Sequence, residues 1–199
     1  MERLDVVIPP ASRHRPTGAG HRNVIWQAAV MSEWTIRDAR SEDRESIRRV
    51  NVANEPEVGQ LDQDRLELFG RAAARFQVVV AEGSIVGVFV GLAEGLDYAS
   101  LNYRWFADRH DRFAYVDRIA LQPDVRGSGV ADALYEDFEV WAQEAGRSVL
   151  CAEVNTVPSN PRSLRFHERR GFVVVDEVAP YGGEERVAMV EKVIRPRSG

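Results

Sequence analysis

A chain of 199 residues, 44% hydrophobic and 29% charged, is long enough for one domain with a substantial core and short for two. Its formal charge of −5 offers no electrostatic footprint for nucleic acid or an anionic membrane surface. A single cysteine, Cys151, excludes a disulfide framework and a cysteine-rich metal site; no apolar run approaches the roughly 20 residues that span a bilayer, and no signal-like stretch opens the chain, so a cytoplasmic protein is expected.

Residues 1–31 interleave Pro9, Pro10, Pro16, Gly18 and Gly20 with Arg13, His14, Arg15, His21 and Arg22 and carry no apolar period. They read as a disordered leader, with Met31 as an alternative start. The domain is expected over 32–195, followed by a tail at 196–199. Residues 34–37 form a strand. Ser41, followed by Glu42 and Asp43, reads as a helix N-cap with acids in the first turn, and Ile47 and Val50 form the apolar face of that helix. A turn at 54–59 leads to a second helix at 62–74. Strands at 76–81 and 85–92 meet at Glu82-Gly83-Ser84 as a hairpin.

Residues 94–112 read as a long, aromatic-rich connection. A strand at 113–121 follows, then a helix at 130–145 in which Val130, Leu134, Phe138 and Trp141 recur at helical spacing. A strand at 148–154 precedes a short helix at 161–170, with Asn160 or Ser159 as its cap, Pro161 at its first position and Gly171 closing it. Strands at 172–178 and 186–194 form a last hairpin. The order β-α-α-β-β-β-α-β-α-β-β predicts an α/β protein with a mixed sheet and helices on its faces.

The chemistry concentrates in residues 116–131. A strand ends at Pro123, and Arg126-Gly127-Ser128-Gly129 leads into a helix. Glycines there let the backbone approach a ligand, and the helix N-terminus adds about half a positive charge, so the turn is an anion site. Arg126 adds a full charge and a fork suited to phosphate. A Walker A loop needs Gly-Lys-Ser/Thr, but the only lysine is Lys192. A dinucleotide fingerprint needs a third glycine where Asp132 stands. The alternative is a glycine turn that binds nothing.

Arg126-x-x-Gly129-x-Ala131, after Ile119-Ala120-Leu121-Gln122-Pro123, resembles the Arg/Gln-x-x-Gly-x-Gly/Ala signature of the GNAT acetyltransferases. The stretch from Asn160 to Gly171-Phe172 is similar to their second motif, an asparagine-initiated helix ending in Gly-Phe. The resemblance covers about residues 33–194. It implies an acyl-CoA N-acyltransferase fold, with a mixed, mostly antiparallel sheet flanked by about four helices. Its implied activity is transfer of an acetyl group from acetyl-CoA, as co-substrate and without a metal, to a primary amine by direct attack.

By that resemblance, the backbone of Ile119, Ala120 and Leu121 pairs with pantetheine where the strand splays from its neighbour, and one of their N–H groups stabilises the oxyanion. The N–H groups of Arg126, Gly127, Ser128, Gly129, Val130 and Ala131 hold the pyrophosphate, and Asn160 sits near the cofactor arm. Asp117 and Glu153 are the candidate bases. Strand alternation puts Asp117, Ile119 and Leu121 on one face, where Asp117 is a base or the partner of a nearby arginine. The family's acid, a tyrosine seven residues after the motif asparagine, is here His167, an imidazole that can donate to sulfur. That departure leaves a non-catalytic acyl-CoA-binding module as the alternative.

Tyr98, Asn102, Tyr103 and Trp105 in the long connection are candidates for the acceptor pocket, or anchors of that loop. Asn54 and Glu55 resemble another acceptor contact. His110, beside Asp108 and Asp111, reads as charged loop surface, and Cys151 as buried packing. The expected partner is a small-molecule or peptide amine, without nucleic acid or membrane, and the expected state a monomer or homodimer.

Overall fold

The computed structural model describes residues 33–55 and 57–195. The expected leader, residues 1–31, and the tail, 196–199, lie outside the described residues. The first half of the chain gives β1 (Trp34–Asp38), α1 (Arg44–Val52), α2 (Gln63–Ala72), β2 (Arg75–Ala81), β3 (Ser84–Ala93) and α3 (Leu101–Ala107). The second gives β4 (Ala114–Leu121), α4 (Val130–Glu144), β5 (Val149–Val157), α5 (Pro161–Arg169), β6 (Val173–Val178) and β7 (Arg186–Val193). The strands form one sheet in the order β1-β2-β3-β4-β5-β7-β6. Every pairing is antiparallel except β4 with β5. That parallel pair needs a crossover, which α4 supplies.

The β4–β5 pairing is short. It joins Ala114 to Leu150, Tyr115 to Cys151 and Val116 to Ala152, and goes no further. Beyond it β4 stays with β3 as far as Leu121, and β5 stays with β7 as far as Val157. Each strand is committed to its outer neighbour, so a wedge opens between them in the middle of the sheet. No helix of the described residues is long and apolar enough to cross a membrane.

The sheet is covered on both faces. Ile47, Val50, Leu66, Phe69, Tyr103 and Phe106, from the first three helices, pack with Val88, Val90, Leu92 and Tyr115. On the other face Val130, Leu134, Tyr135 and Phe138 of α4 pack with Phe89, Val116 and Leu150. Phe138 lies so close to β3 that a Cβ at Gly91 would come within 2.5 Å of its ring. Only glycine fits there without displacing the aromatic. The β2–β3 hairpin turns on Glu82 (φ 50°) and Gly83 (φ 73°), the two positive-φ residues of a two-residue turn.

Three expectations are corrected. The long connection contains α3, capped by the Ser100 side chain, which accepts from the Tyr103 N–H; the described residues hold five α-helices around the mixed, mostly antiparallel sheet. Seven residues are too few to display a helical period, and buried Tyr103 and Phe106 hold the segment helical instead. Ser41 is not a cap: it opens a 3₁₀ turn, and the Asp43 carboxylate accepts from the Arg40 N–H and from Arg37. Finally, Asp117 does not share a face with Ile119 and Leu121. Val90 pairs with Arg118 and Gly91 with Val116, leaving Asp117 as the extra residue of a β-bulge. The bulge resets the alternation and turns Asp117 toward Tyr98, on the α1–α3 side, while Ile119 and Leu121 face α4.

Candidate active site

The wedge between β4 and β5 opens into a cleft of about 720 Å³, lined by β4, β5, the turn before α4, and α5. At one end lies the glycine turn. Gly127 (φ 80°) and Gly129 (φ 91°) occupy the left-handed region, and a Cβ at either would meet nothing within 4 Å. Open space therefore lies in front of the backbone. Among the described residues no hydrogen bond uses the N–H groups of Gly127, Gly129, Val130, Ala131 or Asp132. The first turn of a 15-residue helix thus presents its unpaired donors to the cleft.

Two of the six expected N–H donors are otherwise engaged. Arg126 N–H donates to Pro123 O and Ser128 N–H to Val125 O. The Arg126 guanidinium is also turned back: Nε donates to Leu121 O at 2.9 Å and Nη2 to Asn54 Oδ1 at 2.9 Å. Its fork ties down the end of β4, while its charge still faces the cleft. Burial and the nearby charge of Arg162 lower the Arg126 pKa. Arg162, in the first turn of α5, is thus a second cation at this mouth, unmarked by either sequence motif.

Asn54 is a clamp rather than an acceptor contact. Its Oδ1 also accepts from Leu121 N–H at 3.3 Å, and its Nδ2 donates to Val50 O. Glu55 is exposed and outside the cleft. Gln122 N–H donates to Val86 O, so by ladder alternation the N–H groups of Ile119 and Leu121 point into the wedge, and that of Ala120 toward β3. Asn54 takes the Leu121 donor, and the Ile119 donor is left facing the wedge. Across the cleft, Asn160 caps α5 by accepting from Ser163 N–H through Oδ1.

The two candidate bases differ in their partners. Asp117 accepts from Tyr98 Oη at 2.6 Å and from Arg118 Nε at 2.8 Å, with both members of the ion pair buried. Arg118 is further held by Asn51 Oδ1 at 2.6 Å and Gly59 O at 3.1 Å. Burial and the Asp117 charge push the Tyr98 phenol far above its ordinary range. Glu153, in the cleft wall on β5, has no cation against it among the described residues. It accepts from Tyr115 Oη at 2.7 Å and lies in hydrogen-bond contact with Asn102. Burial raises its pKa to about 7, against the hydrogen bond from Tyr115.

His167 is not placed as an acid. Its Nδ1 lies 2.8 Å from Ser163 O, and a carbonyl only accepts, so Nδ1 carries the proton. Nε2 is then an acceptor, and Tyr135 Oη donates to it at 2.8 Å. Burial lowers the imidazole pKa to about 4. A neutral ring whose one N–H is bound to a carbonyl has no proton for a leaving thiolate. His167 instead orients the phenol of Tyr135, which also lines the cleft.

Tyr98 and Asn102 reach the cleft; Tyr103 and Trp105 do not. Tyr103 Oη donates to Ala93 O and accepts from Leu96 N–H, pinning the loop to the core. Trp105 packs against the core and carries the Arg109 guanidinium 3.4 Å above its ring. Tyr115, Asn102 and Tyr135 are the polar contacts around the candidate bases and acid that spacing does not reveal, because each belongs to a different element.

The acetyltransferase (GNAT) family matches residues 33–172. The chain belongs to this family. As a member it is an acetyl-CoA-dependent N-acetyltransferase. No curated protein matches it. Among solved structures it is similar to Ard1 from Thermoplasma volcanium, at 23% identity and a TM-score of 0.64, covering 81% of this chain and 97% of that one. It is also similar to Chaetomium thermophilum Naa20 in complex with a bisubstrate analogue, at 21% identity and 0.65, covering 80% and 86%. A third is yncA from Salmonella typhimurium with its cofactor acetyl-CoA, at 18% and 0.58, covering 83% and 96%. At these identities the likeness concerns the fold, which this GNAT chain shares over 80–83% of its length.

Proposed function

We propose that this acetyltransferase lays the diphosphate of acetyl-CoA on the N–H cradle of Gly127, Gly129, Val130 and Ala131. The pantetheine arm runs down the wedge beside Ile119, Ala120 and Leu121, as if completing the sheet. One observation carries the reading: a splayed strand pair and an unpaired helix N-terminus open onto the same cleft. Arg126 and Arg162 add positive charge at the phosphate end, and Asn160 adds an amide beside the arm. The yncA structure with acetyl-CoA supports this use of the fold.

Glu153 receives the proton of the attacking amine, directly or through one water, because it is the buried cleft carboxylate that no ion pair among the described residues neutralises. Asp117 holds Tyr98 and Arg118 in place. The Ile119 N–H is the donor aimed at the tetrahedral oxygen, a contact of about 2.7–4 kcal/mol in the transition state. The leaving thiol has an ordinary pKa of about 8.5, so departure as thiolate needs no dedicated acid, which fits a neutral His167. Tyr98 and Asn102 border the acceptor, a primary amine of a small molecule or peptide. The bisubstrate analogue bound to Naa20 supports both substrates being present together.

The test is thiol release from acetyl-CoA with a panel of amino acids, polyamines, aminoglycosides and peptide N-termini. At least one amine is expected to be acetylated, with intersecting double-reciprocal lines. Parallel lines would overturn direct attack, and a thermal unfolding curve unmoved by CoA would overturn the cofactor site.

A further inference from the structure

His110, Cys151 and Glu191 stand far apart in sequence, yet their donor atoms all lie within 4.8 Å of one another. Cys151 on β5 is paired directly with Glu191 on β7, so the two side chains project from the same face of the sheet. His110 comes from the turn after α3. Its main chain is fixed by a hydrogen bond to Phe106 O, and its Nε2 lies 2.8 Å from Glu191 Oε1. None of the three lines the acetyl-transfer cleft.

We propose that these three side chains form a binding site for a thiophilic divalent cation of the Zn²⁺ class, independent of the acetyl-transfer reading. A thiolate, an imidazole and a carboxylate make a donor set suited to zinc and its neighbours and unsuited to Mg²⁺ or Ca²⁺. A second observation points the same way. The Cys151 thiol is fully buried, and no hydrogen bond among the described residues uses it, although it faces the Glu191 carboxylate across the β5–β7 pair. A cation there would give the sulfur the partner it lacks, while Glu191 would exchange its contact with His110 for the ion.

The geometry is close to what zinc requires. Bonds of about 2.0–2.3 Å in a tetrahedron place ligand atoms roughly 3.3–3.6 Å apart. The imidazole and carboxylate must therefore separate slightly from 2.8 Å, and the sulfur, no more than 4.8 Å from either, must close by at most about 1.5 Å. The His110 and Glu191 side chains are 27% and 17% exposed, which gives the ion a path from solvent and leaves the fourth position for water. On binding, the S–H bond of Cys151 breaks as the S–metal bond forms. A neutral His110 loses the proton on Nε2 and takes one up on Nδ1. One proton is released per ion, and no electrons move.

The experiment uses the full chain, stripped with chelator and titrated first with Co²⁺ and then with Zn²⁺ against a chromophoric competitor. One equivalent of Co²⁺ should give a near-ultraviolet thiolate-to-metal band that Zn²⁺ abolishes, with proton release measurable in weak buffer. Cys151→Ala should remove the band, and His110→Ala should weaken affinity by about tenfold or more. His110→Ala changes a partly exposed position, so it carries the test if the core variant does not fold. No binding, no thiolate band, or binding unchanged in the folded variants, as His14 or His21 would give, overturns the site.

Discussion

The hydrogen bonds of His167 fix the direction of a measurable pH dependence. In the unfolded chain this imidazole titrates near its ordinary 6.5; in the fold, burial brings it to about 4. Between those values the unfolded state holds a proton that the native state refuses. Native stability from this group is therefore present in full above pH 6.5 and declines as pH falls toward 4. At about 1.36 kcal/mol per pH unit, the loss across that window is about 3 kcal/mol, a large part of the stability of a domain this size. His167→Gln removes the titrating group. It also disturbs the bonds to Tyr135 and Ser163, a pH-independent offset of about 1–3 kcal/mol. Urea unfolding of both proteins at pH 7.5, 6.5, 5.5 and 4.5 isolates the effect, because every other titrating group cancels in the difference. The stability advantage of the parent chain over the variant should fall by about 2.5 kcal/mol from pH 7.5 to 4.5, enough to cancel or invert the offset. Two parallel curves, or an imidazole NMR titration of His167 centred between 6 and 7, would refute the assigned tautomer.

Glu153→Gln should lower turnover by about 10²- to 10⁴-fold while CoA still stabilises the protein thermally; near-normal turnover would move the base elsewhere. Gly129→Glu should abolish CoA binding. Gly129→Ala, which imposes the same strained φ of 91° without the charge, should retain more of it, and isothermal titration separates the two. Asp117→Asn breaks a buried ion pair and should cost about 3–5 kcal/mol in urea unfolding, since Arg118 keeps its charge without its partner. An unperturbed midpoint would make Asp117 available for chemistry instead.

Much of the fold was legible because periodicity is local. The α4 stripe of Val130, Leu134 and Phe138, the Glu82-Gly83 hairpin turn and the Asn160-Pro161 start of α5 each follow from residues within a few positions. Asn160 was expected near the arm and lines the cleft. By contrast, α3 was too short to show a period, and the bulge at Asp117 is invisible to alternation because it consists in breaking it.

The candidate site divides in the same way. By itself the sequence determined a glycine turn at a helix head, two acids near it, and a histidine in the place of an acid. The tertiary structure decided which acid is neutralised, where the proton on His167 sits, and which way Arg126 points. It also joined His110 to Cys151 and Glu191, a cluster that sequence order disperses. The reason is electrostatic: a side chain's charge and hydrogen-bond roles depend on its neighbours in space, and here those neighbours come from other elements of the sheet and its helices.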